Sequence, residues 1–188
     1  MKQSLIVFTL ILALVPGMAS VAFAGQGHND EGGHQGAMHS DNPRIGEPGH
    51  SDQVDRTIDV TMKSMAFEPE KITVEKGQTV RFKVKNEGQV VHEFNLGTAS
   101  MHQKHQQEMK QLVQNGAIEG SRLNRGILKS SAKGEGMSHT HENSLLLEPG
   151  ESGEIVWHFP RKTDFEFACD IPGHYQAGMK GDLQVKAQ

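Results

Sequence analysis

A chain of 188 residues with 23 acidic and 19 basic side chains carries a formal charge of −4, and no basic stripe interrupts its mild acidity. That balance argues against nucleic acid and anionic lipid as partners, because both require clustered Lys and Arg. A single cysteine, Cys169, rules out an internal disulfide, so the thiol needs another explanation.

The chain opens on MKQSLIVFTLILALVPGMASVAFA, with one Lys, an apolar run from Leu5 to Val15, a Pro16-Gly17 break and Ala22-Phe23-Ala24 as an A-x-A site. Residues 1–24 therefore read as a secretory signal peptide cut after Ala24. Its apolar run is too short to span a bilayer and no later stretch is long enough, so no membrane insertion is expected after cleavage. A bacterial periplasm is the expected address. Loss of Lys2 moves the formal charge from −4 to about −5. A lipid anchor at the cut would need a cysteine there, and Cys169 is far away.

Residues 25–54, GQGHNDEGGHQGAMHSDNPRIGEPGHSDQV, hold Gly, polar residues and His with few large apolar side chains. Such a leader cannot bury enough surface to offset chain entropy and is expected to be disordered. It carries His28, His34, Met38, His39 and His50, a composition that signals metal binding; the plain alternative is a solvated leader kept soluble by its histidines. A tight amino-terminal copper motif needs His third, whereas cleavage after Ala24 places His28 fourth.

From residue 55 to 188 the pattern is that of one domain. Apolar residues alternate with polar ones at Ile58, Val60 and Met62, at Ile72 and Val74, and at Val80, Phe82 and Val84, with turns at Glu75-Lys76-Gly77 and Asn86-Glu87-Gly88. Period two predicts short antiparallel strands, followed by another in VVHEFNL. The same pattern returns in SLLLEPGESGEIVWHFP, DFEFACD and GDLQVKA. The fold class is all-β, a Greek-key β-sandwich.

Between these halves, at about residues 98–143, lies an insertion. SMHQKHQQEMKQLVQNG predicts a helix stopped by Gly116, and the remainder, rich in Gly, Ser and Lys, reads as loop. The helix spaces Met101, His105 and Met109 at i, i+4, i+8, with His102 beside Met101, and Met137, His139 and His141 follow in GMSHTHE. Residues four apart share a helical face, so these form a set of candidate ligands for a soft or borderline metal ion, together with those of the leader and secondary to those around Cys169. The alternative for Met101 and Met109 is packing of the helix on the sandwich.

Cys169, His174 and Met179 stand as Cys-x4-His-x4-Met around a Pro172-Gly173 turn. A thiolate, an imidazole and a thioether on one loop are soft and borderline donors that select copper over magnesium or calcium. His92 in VVHEFNL is available as a second imidazole. A metal-bound thiolate also accounts for a lone cysteine in an oxidising compartment.

This arrangement resembles the type 1 copper site of the cupredoxins, the plastocyanin and azurin family, over roughly residues 56–96 and 144–186. The resemblance implies a cupredoxin fold and copper as cofactor, cycling between Cu(I) and Cu(II), with His92, Cys169, His174 and Met179 as ligands. His158 is the competitor of His92. In IVWHFP, however, Trp157 and Phe159 share the face that aromatics would turn to the core, which leaves His158 exposed. Small family members often have Asn after the first histidine, where this chain has Glu93, so the usual pinning of the cysteine loop is not expected in its familiar form.

The signal peptide, His/Met leader and Met/His insertion further resemble the CopI-type periplasmic copper-resistance cupredoxins. That resemblance implies copper tolerance by binding and redox-cycling copper. The alternative is a soluble one-electron carrier to a redox partner protein, respiratory or oxidase. No enzyme is expected, although weak Cu(I) oxidation is compatible with the site. Multicopper oxidases and nitrite reductases couple the type 1 site to another copper through a histidine beside the cysteine, and the neighbours here are Ala168 and Asp170.

Overall fold

The computed structural model of the protein describes residues 45–131 and 141–187. In chain order the strands and helices are β1 (Glu47–Pro48), β2 (Arg56–Lys63), β3 (Ala66–Glu68), β4 (Lys71–Glu75), β5 (Thr79–Asn86), β6 (His92–Gly97), α1 (Ala99–Gln114), β7 (Ile118–Glu119), β8 (Arg122–Leu123), α2 (Arg125–Ser131), β9 (Ser144–Leu147), β10 (Ser152–His158), β11 (Thr163–Ala168) and β12 (Lys180–Lys186). Two five-stranded sheets form, ordered β1-β10-β5-β2-β3 and β4-β12-β11-β6-β9. The alternating residues do as their period predicts: Ile58, Val60, Met62, Ile72, Val74 and Val80 all turn inward and are buried.

The expectation of antiparallel strands needs one correction. β2 runs parallel to β5, and β4 parallel to β12. Alternation reports which face is buried and carries no information on strand direction, so the sequence pattern could not distinguish the two. The core is aromatic where the sheets meet the site: Phe67 sets its edge against Phe167 at 5.2 Å between centroids, and Phe94 lies 5.6 Å from both Phe82 and Phe167. Each such ring contributes about 1.5–3 kcal/mol by leaving water.

The last part of the predicted leader also belongs to the fold. Ile45 is fully buried, its carbonyl accepts a 2.6 Å hydrogen bond from the Trp157 indole N–H, and β1 pairs with β10. A buried indole donor requires an acceptor, and the chain before residue 54 supplies it. Residues of the predicted leader from Ile45 on are therefore packed with the sandwich. Residues 25–44 lie outside the described residues. Trp157 and Phe159 are buried as expected, while His158 is half-buried, its Nδ1 hydrogen-bonded to the Thr79 hydroxyl at 3.1 Å.

Within the insertion, α1 begins at Thr98, whose hydroxyl accepts from the Met101 amide, and stops at Asn115 before Gly116, as predicted. The stretch read as loop contains the β7–β8 hairpin and α2 as well. Met109, Leu112, Ala117, Ile118 and Leu123 join the hydrophobic core of the sandwich.

Candidate metal centre

Strand register builds the centre. β11 ends at Ala168 and β12 begins at Lys180, and these two residues are paired. The next pair outward is Cys169 with Met179, joined by a 3.1 Å bond from the Cys169 amide to the Met179 carbonyl. The loop between them turns through Gly173 and Gly178, whose φ values of 89° and 93° are those a side chain resists. It is closed on itself by amide bonds from His174 to Ile171 and from Met179 to His174, each 3.0 Å, which point His174 back toward the cysteine. Its Nδ1 stands 3.2 Å from Cys169 Sγ.

β6 is the other neighbour of β11, with Asn95 opposite Ala168. That register carries the start of β6 past Cys169, so the Glu93 amide donates to Sγ at 3.4 Å and His92 sits at the same sheet end. One donor atom each from His92, Cys169 and His174 lie within 4.8 Å of one another, and the two imidazoles are 5.1 Å apart. Met179 is fully buried beside them in sequence register. The approach to His92 is set by Asn86, whose amide group bonds the Val90 and Leu147 carbonyls at 2.9 Å and whose carbonyl accepts the Gly88 amide. Gly88 in turn has no room for a side chain: a Cβ there would stand 2.6 Å from His92 Nε2.

His92 is 0% exposed, yet neither ring nitrogen has a hydrogen-bond partner. An imidazole buried without partners is costly. Burial, and after it the nearby His174, lowers its pKa to about 4, so the ring is neutral with a lone pair free for an ion. Burial likewise lowers the pKa of His174. The Cys169 thiol is pushed up by burial and then by Glu93, so the metal-free site keeps the proton on sulfur and a bound cation is what would release it. Two neutral imidazoles, a buried thiol and a buried thioether fit a soft-to-borderline ion such as copper.

The residues beside the ligands form a network that sequence reading missed. β6 alternates like any strand, with Phe94 and Leu96 facing the core and Glu93, Asn95 and Gly97 facing out. That outer face is buried too, because α1 lies over it. The polar groups there find partners across the gap: Asp170 Oδ2 accepts from Asn95 Nδ2 at 2.9 Å and meets His102 Nδ1 at 2.8 Å, while Glu93 Oε2 accepts the Asp170 amide at 3.3 Å. His105 Nε2 meets Glu93 Oε1 at 2.8 Å, and His105 Nδ1 meets Glu108 Oε2 at 2.9 Å. Burial opposes a charge on His105, but Glu93 and then Glu108 outweigh it and raise its pKa to about 10. Burial opposes protonation of His102 too, and its bond to Asp170 outweighs it, leaving the pKa raised. The cysteine loop is thus pinned after all, by Glu93 and Asp170.

Among the described residues, the second set of candidate ligands divides between core, network and one open depression. The buried face of α1 is His102, His105, Met109 and Leu112, with Met101, the first residue of the expected stripe, partly buried and packed against the core. Met109 is core, and His102 serves Asp170. His105 and His141 come together with Glu108. Met101 is half-buried, and His50 is exposed in the segment after β1. His28, His34, Met38, His39, Met137 and His139 lie outside the described residues.

Comparison with known proteins identifies the family. A Pseudomonas aeruginosa protein named copper-resistant cuproprotein CopI is 45% identical over 150 residues, which cover 76% of this chain and 82% of that protein. A Rubrivivax gelatinosus protein of the same name is 36% identical over 178 residues, 94% of each. Among solved structures, dithionite-reduced auracyanin from Roseiflexus castenholzii superposes with a TM-score of 0.51 at 23% identity, covering 71% of this chain and 98% of that one, a likeness of fold. Residues 54–186 match the copper binding proteins of the plastocyanin/azurin family. With that match over most of its length, the chain belongs to the plastocyanin/azurin family and is a copper-binding cupredoxin.

Proposed function

We propose that His92, Cys169 and His174 hold the copper with Met179 as a weak fourth donor, and that the protein serves copper tolerance in the periplasm by binding copper and cycling it between Cu(I) and Cu(II). The observation that carries the ligand assignment is the fully buried His92 with two unpartnered nitrogens beside the Cys169–His174 contact. The tolerance reading is supported by the two relatives named copper-resistant. Copper held by two imidazoles and a thiolate supplies a one-electron couple with little rearrangement between its states. The protein's part is to keep water out, orient both rings, and bond the sulfur through the Glu93 amide.

A second reading, a one-electron carrier to a partner protein, is favoured by one feature: His174 alone of the four is partly exposed, in a shallow depression shared with Val90, Ile171 and Pro172. The test is a copper titration of the mature protein that records visible absorption and bound copper per chain together. Cys169→Ala is expected to abolish the intense colour and Met179→Leu to keep it with a shifted potential. A coloured Cys169→Ala protein would overturn the ligand assignment. Cells made copper-sensitive are expected to be rescued by the parent and not by Cys169→Ala; equal rescue would remove the tolerance reading.

A further inference from the structure

We infer that His105, Glu108 and His141 form a second metal site, for a borderline divalent ion with Cu(II) preferred over Zn(II), between α1 and the segment that leads into β9. His105 and Glu108 are one helical turn apart on α1, and His141 is brought over them as the chain returns from the insertion toward β9. His105 Nδ1 lies 2.9 Å from Glu108 Oε2, His141 Nε2 lies 3.7 Å from the same oxygen, and the two rings meet edge to face at 5.3 Å. Donors bonded at about 2.0–2.2 Å to one tetrahedral ion stand roughly 3.2–3.6 Å apart, so these atoms are already near that spacing. Two imidazoles with one carboxylate is a donor set suited to zinc and copper, and the usual affinity order places Cu(II) above Zn(II).

The ring of His105 is prepared for this role from behind. Glu93, 2% exposed, holds its Nε2, which fixes the ring plane and turns Nδ1 toward Glu108 and His141. Histidine ligands commonly give their far N–H to a carboxylate in this way, and the partner strengthens the donor nitrogen. The carboxylates that favour a proton on Nδ1 also favour a dication there, so binding exchanges one for the other. His105, Glu108 and His141 line one open depression together with Met101 and Lys104; Lys104 is exposed, on a flexible stem that lets its charge swing away into solvent. The site shares no residue with His92, Cys169 and His174 and does not depend on their holding copper.

The full mature chain, with Cu(I) filling the cysteine site, would be titrated with Zn(II) while imidazole nitrogen resonances are followed by NMR. The expected result is a shift of His105 Nδ1 and His141 Nε2 that saturates at one ion. In Glu108→Gln the same shifts should need on the order of tenfold more Zn(II) or greater, with the colour of the oxidised cysteine site unchanged. A parallel titration of Cys169→Ala with Cu(II) should give an electron-spin resonance signal with imidazole nitrogen coupling that His141→Ala diminishes. Resonances of His105 and His141 that stay still while leader histidines move would overturn the inference. So would a Glu108→Gln response identical to the parent. A coloured Cys169→Ala protein would instead count against the cysteine-centre assignment, so the two failures are separable.

Discussion

Replacing Glu93 by Ala in the metal-free protein removes, in one step, the acceptor of the His105 Nε2 bond at 2.8 Å and of the Asp170 amide bond at 3.3 Å. Both donors stay in place, and His105 is only 8% exposed. Breaking a buried pair by removing one charge costs about 3–5 kcal/mol, and an orphaned buried amide about 1–3 kcal/mol. The two losses overlap, so the expected destabilisation is at least about 3 kcal/mol, a large share of the roughly 5–15 kcal/mol that holds a domain together. At about 3–4 °C per kcal/mol for a domain of this size, the melting temperature should fall by about 10 °C or more. Urea unfolding of metal-free parent, Glu93→Ala, His105→Gln and the double variant gives both the loss and the coupling. A coupling of at least about 1 kcal/mol is expected for residues in direct contact. A loss under about 1 kcal/mol, or additive single losses, would refute the idea that Glu93 ties the helix to the cysteine loop.

Gly88→Ala should press a methyl onto the His92 ring, since the new Cβ would stand 2.6 Å from Nε2 and 3.2 Å from Asn86 Oδ1. A cost of about 1–3 kcal/mol and a displaced visible absorption of the copper form are expected, and an unchanged spectrum with parent stability would contradict the packing described. His105 has an ordinary pKa of 6.5 and a folded one raised to about 10, so its contribution is complete below pH 6.5 and lost as pH climbs toward 10. Metal-free parent should therefore lose stability over that window relative to His105→Gln, and parallel curves in urea unfolding would show that the carboxylates do not hold the proton.

What was legible in the sequence was whatever local spacing determines. The Cys-x4-His-x4-Met run spans the β11–β12 connection, and the register Ala168 opposite Lys180 makes Cys169 and Met179 the first residues past the ladder. The parity of Trp157 and His158 along β10 was readable for the same reason. Pairing across elements was not readable. His102 and His105 present the same spacing whether they bind metal or carboxylates, and only the burial of the outer face of β6 decides that two of their bonds go to Asp170 and Glu93. A signal was nevertheless there. VVHEFNLG puts Glu93 and Asn95 on the face opposite Phe94, and Gly97 follows on that face, where a Cβ would stand 3.0 Å from the His102 ring. The docking of Ile45 under Trp157 escaped because one apolar residue in a Gly-rich stretch has no period to reveal it.

The insertion is consequently part of the sandwich and not an appendage to it. Met109, Leu112, Ala117, Ile118 and Leu123 share its core, and the Val91 amide beside the first histidine bonds the Gly120 carbonyl at 2.8 Å. Glu93 then makes sense where small members of the family often have Asn. The strand's outer face is covered by α1, and the longer side chain reaches His105 with one oxygen and the Asp170 amide with the other. Cutting out residues 98–143 would uncover Glu93, Asn95 and Asp170 together and remove the Gly120 carbonyl that holds the Val91 amide beside His92. Single substitutions at the helix–strand contacts, which leave that cover in place, are therefore the sounder way to separate what the insertion contributes to the copper centre from what it contributes to the fold.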